Sequence, residues 1–396
     1  MPDPRDPLLK PLLEQAPELR RRNRHGPFGG VETGAFFDRA YLPAGHRFTF
    51  ELALWSPTRA VAEGDEQVVV DLLWRGWRVG GWTRAGLGKV MVVEMRGRRF
   101  CLGRREKPTT GLGGAEGELK HYLALPVLGE ARAADLHVLR RPGALASSSP
   151  RTHSAWTATL VIEGGLRVGG GTRSVGQSAA ASEADDTPYS EPFVDWRGPT
   201  AAMDWRVVLP ASSIKGPLRH RVSFHDRRLR GQVAEQLLAP GAGPLPPSRA
   251  EQAFFGLASD NDRGHAGAIW VDDIAIDRAV AMGHAATMRH LSIDRLTGGG
   301  REGLLYTLEN LYRVELPLRL ECDPAAAVAN GADATAFGAL ELALDDLRRG
   351  WLGLGADWAA GLGVGVCGGA PQWRPALPAR GETSNGAASA PPDVAA

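Results

Sequence analysis

A segment reading DLLWRGWRVGGWTRAGLGKVMV from residue 71 returns, with one residue inserted, as DDLRRGWLGLGADWAAGLGVGV from residue 345. Arg75-Gly76-Trp77 answers to Arg349-Gly350-Trp351, and Gly86-Leu87-Gly88 answers to Gly361-Leu362-Gly363. A repeat of this kind constrains the fold more than composition does, because each copy should build the same local unit. Both copies follow a stretch that reads as a short helix, and both lead into a Val-rich stretch that reads as a strand. A weaker parallel lies upstream of each, between GGVETGAFFDRAYLPAGHRFTFELAL and LTGGGREGLLYTLENLYRVELPLRLE. The second copy has a front half that the first lacks. Residues 155–170 read as a strand closed by glycines, and residues 205–211 read as another, followed by a helix start at Ser212-Ser213. The expected division is a partial, divergent copy over 1–145, a linker over 146–154, a fuller copy over 155–370 and a disordered tail over 371–396. Strands and helices interleave without a strict βαβα rhythm, which predicts an α+β class with mainly antiparallel sheets.

The chain has 396 residues, room for two or three domains, and its 50 Gly and 28 Pro predict many tight turns. Lys plus Arg is 46 against 45 for Asp plus Glu. Bulk charge therefore argues for neither nucleic acid nor membrane, and only local patches can carry such a claim. Cys101, Cys322 and Cys367 are scattered, which fits neither a disulfide scaffold nor a paired-cysteine zinc site and suits a reducing cytoplasm. The N-terminal stretch lacks an apolar core of signal-peptide length, and no run of apolar residues is long enough to span a bilayer. Secretion and membrane insertion are both unexpected.

Two basic patches are hidden in the balanced total. Residues 206–230 hold Arg206, Lys215, Arg219, Arg221, Arg227, Arg228 and Arg230 against Asp226 alone, and residues 75–107, which include Arg84 and Lys89, are similarly basic. A run of like charge is commonly just a solvated face. In LPASSIKGPLRHR, however, Ser212 and Ser213 suit an N-cap, so free backbone N–H groups and a partial positive charge should lie at the helix start. Lys215 and Arg219 then share one face, an arrangement suited to phosphates. The bland alternative is a capped surface helix. Gly363, Gly365 and Gly368 satisfy a dinucleotide fingerprint only formally, since the chain runs on into Ala-Pro rather than a helix. A Walker loop is absent because Gly88-Lys89 is followed by Val90. The glycine loops read instead as places where backbone closely approaches a ligand or another strand. His220 with His225, and His284 with His290, lack zinc-ligand company and are expected to be exposed or locally bonded.

Taken in order, Leu-Arg-Val-Gly-Gly-Gly (166–171), Asp186-Thr187-Pro188 and Leu-Pro-Ala-Ser-Ser-Ile-Lys-Gly-Pro-Leu-Arg (209–219) resemble the start of CRISPR-associated RAMP proteins of type III effector complexes. Phe-Phe-Gly (254–256), Gly-Ala-Ile-Trp-Val-Asp-Asp (267–273), Ile-Asp-Arg-Leu-Thr-Gly (293–298) and the glycine loop at 353–365 follow in the family's order. The resemblance covers about 155–370, and the partial repeat extends it to about 30–95. Pro210-Ala211 departs from the family's Pro-Gly, and the first copy has neither the Ser-Ser-x-Lys-Gly helix nor the Asp-x-Pro loop, so it should be non-catalytic.

The resemblance implies tandem RNA-recognition-motif-like (ferredoxin-like) RAMP domains that stack along a guide RNA, with glycine-rich loops against its phosphates. A β-hairpin thumb, here about 277–295 with Met282 and Met288 as apolar wedge atoms, would enter the guide–target duplex. The positions this assigns to RNA are Ser212, Ser213, Lys215, Arg219, Arg221, Gly169, Gly170, Arg84, Lys89, Gly361 and Gly363. Family members that cut target RNA do so with a loop aspartate, which corresponds to Asp186, with Asp185 adjacent. A carboxylate there can hold Mg2+ or another divalent cation, or orient the 2′-hydroxyl for in-line attack. The same aspartates also read as part of an acidic flexible loop. Expected partners are guide RNA, complementary target RNA and other effector subunits in a hetero-oligomer. Two alternatives stand beside the nuclease: a non-catalytic structural or capping subunit, and a guide-processing endonuclease, for which no histidine has a convincing setting.

Overall fold

The computed structural model describes residues 18–25, 31–55, 59–98, 120, 124, 137–139, 153–171, 173–175, 184–198, 200–232, 245–258, 264–369, 371–374 and 376–377. It is a mixed α/β protein in which two compact units are distinguished. One takes in Met1–His46, Trp82–Leu87 and Arg151–Ala396, the other Arg47–Gly81 and Gly88–Pro150. The first strands and the middle of the first glycine loop group with the second copy. Residues 146–152 of the expected linker lie outside the described residues.

In the larger unit, β1 (Glu18–His25) and β2 (Val31–Tyr41) form an antiparallel pair in which Arg20 faces Arg39. The main sheet is built on β7 (Ser154–Leu166) and the long β15 (Gly300–Cys322), with β12 (Ile269–Val271) beyond β15 and β16 (Val366–Cys367) beyond β7, all neighbours antiparallel. Alternation explains β15, where Val314, Leu316, Leu318, Leu320 and Cys322 are buried while Glu315, Pro317 and Arg319 are exposed. The buried face joins α2 (Ala211–Leu229), α3 (Arg249–Phe255), α5 (Pro324–Ala329) and α6 (Ala334–Arg348) in one core, where Ile214, Leu218, Phe254 and Leu340 are fully enclosed. A smaller sheet carries β13 (Ile274–Asp277), β9 (Ala202–Leu209) and β8 (Ser190–Asp195) in that order.

After α4 (Arg278–His284), β14 (Ala285–Ile293) pairs with the first half of β15, so the long hairpin runs past the expected 277–295. Its turn is the Ile-Asp-Arg-Leu-Thr-Gly motif, in which Asp294 Oδ1 accepts from the Leu296 and Thr297 N–H groups, both at 2.9 Å. These backbone bonds hold the Asp294 carboxyl below its ordinary pKa. Met282 and Met288 are exposed, in company with Leu291, Ile293 and Leu296. The expected disordered tail also needs correction at its start. Trp373–Arg374 forms β17 against β7, and Trp373 sits in the core because it lies opposite Trp156. Residues 378–396 lie outside the described residues.

The second unit contains α1 (Arg59–Arg75), the short pair β3 (Trp77–Arg78) and β4 (Lys89–Val90), and the pair β5 (Arg96–Gly97) and β6 (His137–Val138). Phe48, Phe50, Leu52 and Leu54 are exposed there, although the weaker upstream parallel sets their segment against the one that holds the buried Val314, Leu316, Leu318 and Leu320. The difference is local structure: β15 is a strand with β7 beside it, whereas residues 47–55 do not form a strand. Among the described residues no helix is long and apolar enough to cross a membrane.

Candidate functional site

The two glycine loops of the repeat close through four equivalent backbone bonds. The Gly76 N–H donates to Leu73 O and that of Gly350 to Leu347 O; Val79 N–H donates to Gly88 O and Leu354 N–H to Gly363 O. Ala85 and Leu87 donate to Trp82 O, as Ala360 and Leu362 donate to Asp357 O. The left-handed residues also coincide: Gly76 with Gly350, Gly80 with Gly355, Trp82 with Asp357, Gly86 with Gly361 and Gly88 with Gly363. Trp82 and Asp357 hold φ of +61° and +56° although neither is glycine.

The second loop is seated on the end of β7. Gly363 N–H donates to Gly165 O at 2.7 Å and Ala356 N–H to Arg167 O at 2.9 Å. Beside it, the segment 184–188 is pinned to β15, where Asp185 N–H donates to Thr307 O at 2.8 Å, Thr307 N–H to Asp185 Oδ2 at 2.7 Å, and Glu309 N–H to Asp186 O at 3.0 Å. These bonds tie Asp185 and Asp186 to β15, while Glu183 of the acidic loop lies outside the described residues. Asp186 Oδ2 accepts from Arg167 Nη2 at 2.7 Å and its Oδ1 from the Gly170 N–H at 2.8 Å. A Cβ at Gly169 would stand 2.6 Å from Asp186 Oδ2, so a larger residue there would displace the carboxylate. Arg167 Nη1 bonds in turn to Asp357. Arg167 and Asp357, which sequence reading did not single out, thus join Asp186, Gly169 and Gly170 in one cluster. Burial opposes the Arg167 charge, but the two aspartates outweigh it and raise its pKa.

Helix α2 is arranged differently from expectation. Its N-cap is Pro210, without a side-chain bond, so Ser212 and Ser213 lie inside the first turn rather than capping it. The Ala211 N–H instead donates to Asp273 Oδ1 at 2.7 Å, so a carboxylate of the protein already meets the helix start. Asp273 Oδ2 accepts from Arg20, and Arg20 also grips Glu191 through two bonds of 2.6 and 2.8 Å. Lys215 does not share an open face with Arg219. Its Nζ donates to Arg84 O and Ile269 O at 3.1 and 3.0 Å, and burial, with Arg84 and Arg219 adding, lowers its pKa to about 7. Arg219 is exposed and paired with Glu251. Arg221 pairs with Asp346 at 3.1 Å and reaches Trp351 O. His225 is buried, not exposed, with Nε2 2.7 Å from Asp346, while His284 ends α4 and donates from Nδ1 to Tyr312 O at 2.8 Å. Arg84 lies over the Trp270 ring, and Lys89 lies on β4 of the other unit.

The Lys215 setting makes a pH prediction. A lysine whose folded pKa is below its unfolded value destabilises the fold while protonated in both states, and that cost fades as pH rises through the interval between the two values. Chemical denaturation at about pH 7.5 and about pH 9 should therefore show the wild type gaining about 2 kcal/mol relative to Lys215→Met. Parallel behaviour of the two proteins would mean that Lys215 is not desolvated.

No group of three His, Cys, Asp or Glu side chains among the described residues is placed to hold a metal ion. Asp186 retains acceptor capacity on both oxygens beyond its present bonds, which fits a divalent ion held by one carboxylate together with substrate phosphates, and not a cage made by the protein.

Residues 204–365 match the family model of the RAMP superfamily. That span contains α2, the hairpin, β15, α6 and the second glycine loop. No curated protein matches the chain.

Proposed function

We propose that this chain is a guide-RNA-binding backbone subunit of a type III CRISPR effector complex and that it cleaves complementary target RNA through Asp186. The family match supports the RNA-binding part. The strand order β12-β15-β7-β16, with α2 between β7 and β12 and α6 between β15 and β16, supports a ferredoxin-like core of the β-α-β-β-α-β kind. The hairpin of β14 and β15 then takes the role of the thumb. Its exposed Met288, Leu291 and Ile293 are suited to wedge against bases. The open face of the sheet is a poor base platform, since it presents Thr157, Thr159, Glu163, Glu315 and Arg319, and Trp270 is already stacked on by His153 and Arg84. RNA is therefore assigned to the glycine loops and the hairpin.

The observation that carries the nuclease reading is the fixing of Asp186 at the foot of that hairpin, between Gly170 and Arg167. From there its carboxylate can accept the proton of a ribose 2′-hydroxyl as that oxygen attacks the adjacent phosphorus and the P–O5′ bond breaks; the departing 5′-oxygen takes a proton from water. A bound Mg2+ would supply charge neutralisation at the phosphate. Asp186 also uses both oxygens within the protein, as a purely structural aspartate would, and this favours the second reading, a non-catalytic structural or capping subunit of the same hetero-oligomer.

The test is the complex assembled with its partner subunits, guide RNA and magnesium. Asp186→Asn should slow target cutting by at least about a hundredfold while guide and assembly are retained. Cutting at the wild-type rate would leave the structural reading in possession.

A further inference from the structure

We propose that Arg167 is a phosphate-binding residue of this site, and that Asp357 holds its guanidinium in the free protein in the place a target-RNA phosphate takes; this rests on the reading of Asp186 as the point of target cleavage. A guanidinium fork accepts carboxylate and phosphate in the same geometry, so one can stand in for the other. The two aspartates on Arg167 are not equivalent. Asp186 is the more enclosed, at 24% exposure, and is tied also by the Gly170 N–H; Asp357 is 44% exposed, and among the described residues its side chain bonds to Arg167 alone. Releasing Asp357 into water leaves no buried group unsatisfied. The Arg167–Asp186 contact, in contrast, keeps the guanidinium beside the carboxylate that would take the proton.

The repeat shows that the loop does not need a carboxylate at this position. Trp82 occupies the equivalent place in the first loop, with the same backbone bonds and the same left-handed conformation. There the neighbouring cations are stacked on an aromatic ring, Arg22 at 3.9 Å and Arg39 at 4.5 Å from the Trp82 ring centre. The carboxylate of Asp357 is thus a feature of the second loop's contact with Arg167 and not of the loop's construction. Ala356, one residue before it, donates to the Arg167 carbonyl, so loop and arginine stay in register whichever anion is bound.

The experiment is a double-mutant cycle in the assembled complex, with a target RNA shortened until its affinity is measurable and made uncleavable by a 2′-deoxy sugar at the cut, beside a cleavable copy. Asp357→Asn should tighten binding severalfold, and that gain should vanish in the Arg167→Met background. Arg167→Met alone should weaken binding about tenfold and slow cutting, with Arg167→Lys restoring part of the affinity. An equal gain from Asp357→Asn in both backgrounds would be a general charge effect and would overturn the proposal. So would unchanged affinity and rate in Arg167→Met. If the wild type fails to cut but the cycle holds, the cleavage reading fails and the phosphate assignment stands.

Discussion

Arg20→Met is expected to cost about 3–5 kcal/mol of folding stability, because it removes the cation from between two carboxylates that cannot reach water freely. Arg20 is 3% exposed and Glu191 4%. Glu191 accepts two bonds from Arg20 and one from the Tyr189 hydroxyl at 2.8 Å, while Asp273 divides its oxygens between Arg20 and the first N–H of α2. Burial opposes the Arg20 charge, yet the two acids overturn that effect and raise its pKa. Removing the arginine leaves Glu191 desolvated and unpaired, the arrangement in which a broken buried pair is most costly. Adding Glu191→Gln should recover part of the loss, since an amide can be buried at lower cost than an unpaired charge. Denaturant titration of the three proteins measures this directly. A loss under about 1 kcal/mol would mean that Arg20 does not tie β1 to the second copy.

That tie marks the limit of what could be read from the sequence. The repeat was legible because it lies in local spacing, and its helix ends, glycine conformations and turn bonds all followed from residues a few positions apart. The interleaved strands and helices and the helix after Pro210 were legible for the same reason, whereas the hairpin was implied only by the family resemblance and over a shorter span than it has. Periodicity shows which face of an element is apolar, but not which distant group a polar side chain meets. Asp273 meets the start of α2 from 62 residues away, and Arg20 meets Glu191 from 171 residues away. Lys215 looked like a surface cation for lack of any local sign that the Arg84 and Ile269 carbonyls would close over it. Arg167 stood in plain view inside Leu-Arg-Val-Gly-Gly-Gly, and a basic residue just ahead of three glycines could have been weighed as an anion site; Asp357 gave no comparable sign. Trp373 was placed in a tail because Pro and Gly surround it, yet one tryptophan facing Trp156 is enough to extend the sheet.

The glycines of the second loop separate two kinds of requirement, and a paired substitution is expected to show it. Gly361→Ala should cost about 1 kcal/mol, the penalty of a left-handed conformation for a residue with a Cβ, because no atom lies within 4 Å of where that Cβ would be. Gly363→Ala should cost about 3 kcal/mol or more. It meets the same penalty at φ +68°, and its Cβ would fall 1.8 Å from the Leu354 carbonyl oxygen, an overlap with backbone that no side-chain rotation relieves. Relief requires breaking the Leu354 N–H bond to Gly363 O, which closes the loop, and the Gly363 N–H bond to Gly165 O, which helps seat it on β7. The damage should therefore reach Asp357 and Arg167, and faster amide exchange over 354–363 would report it. Both glycines were expected to lie against RNA phosphates. If Gly363 served only that purpose, its alanine variant would keep wild-type stability and lose RNA affinity; the packing predicts that stability falls first, and that Gly361→Ala is the variant in which an effect on RNA can be read without it.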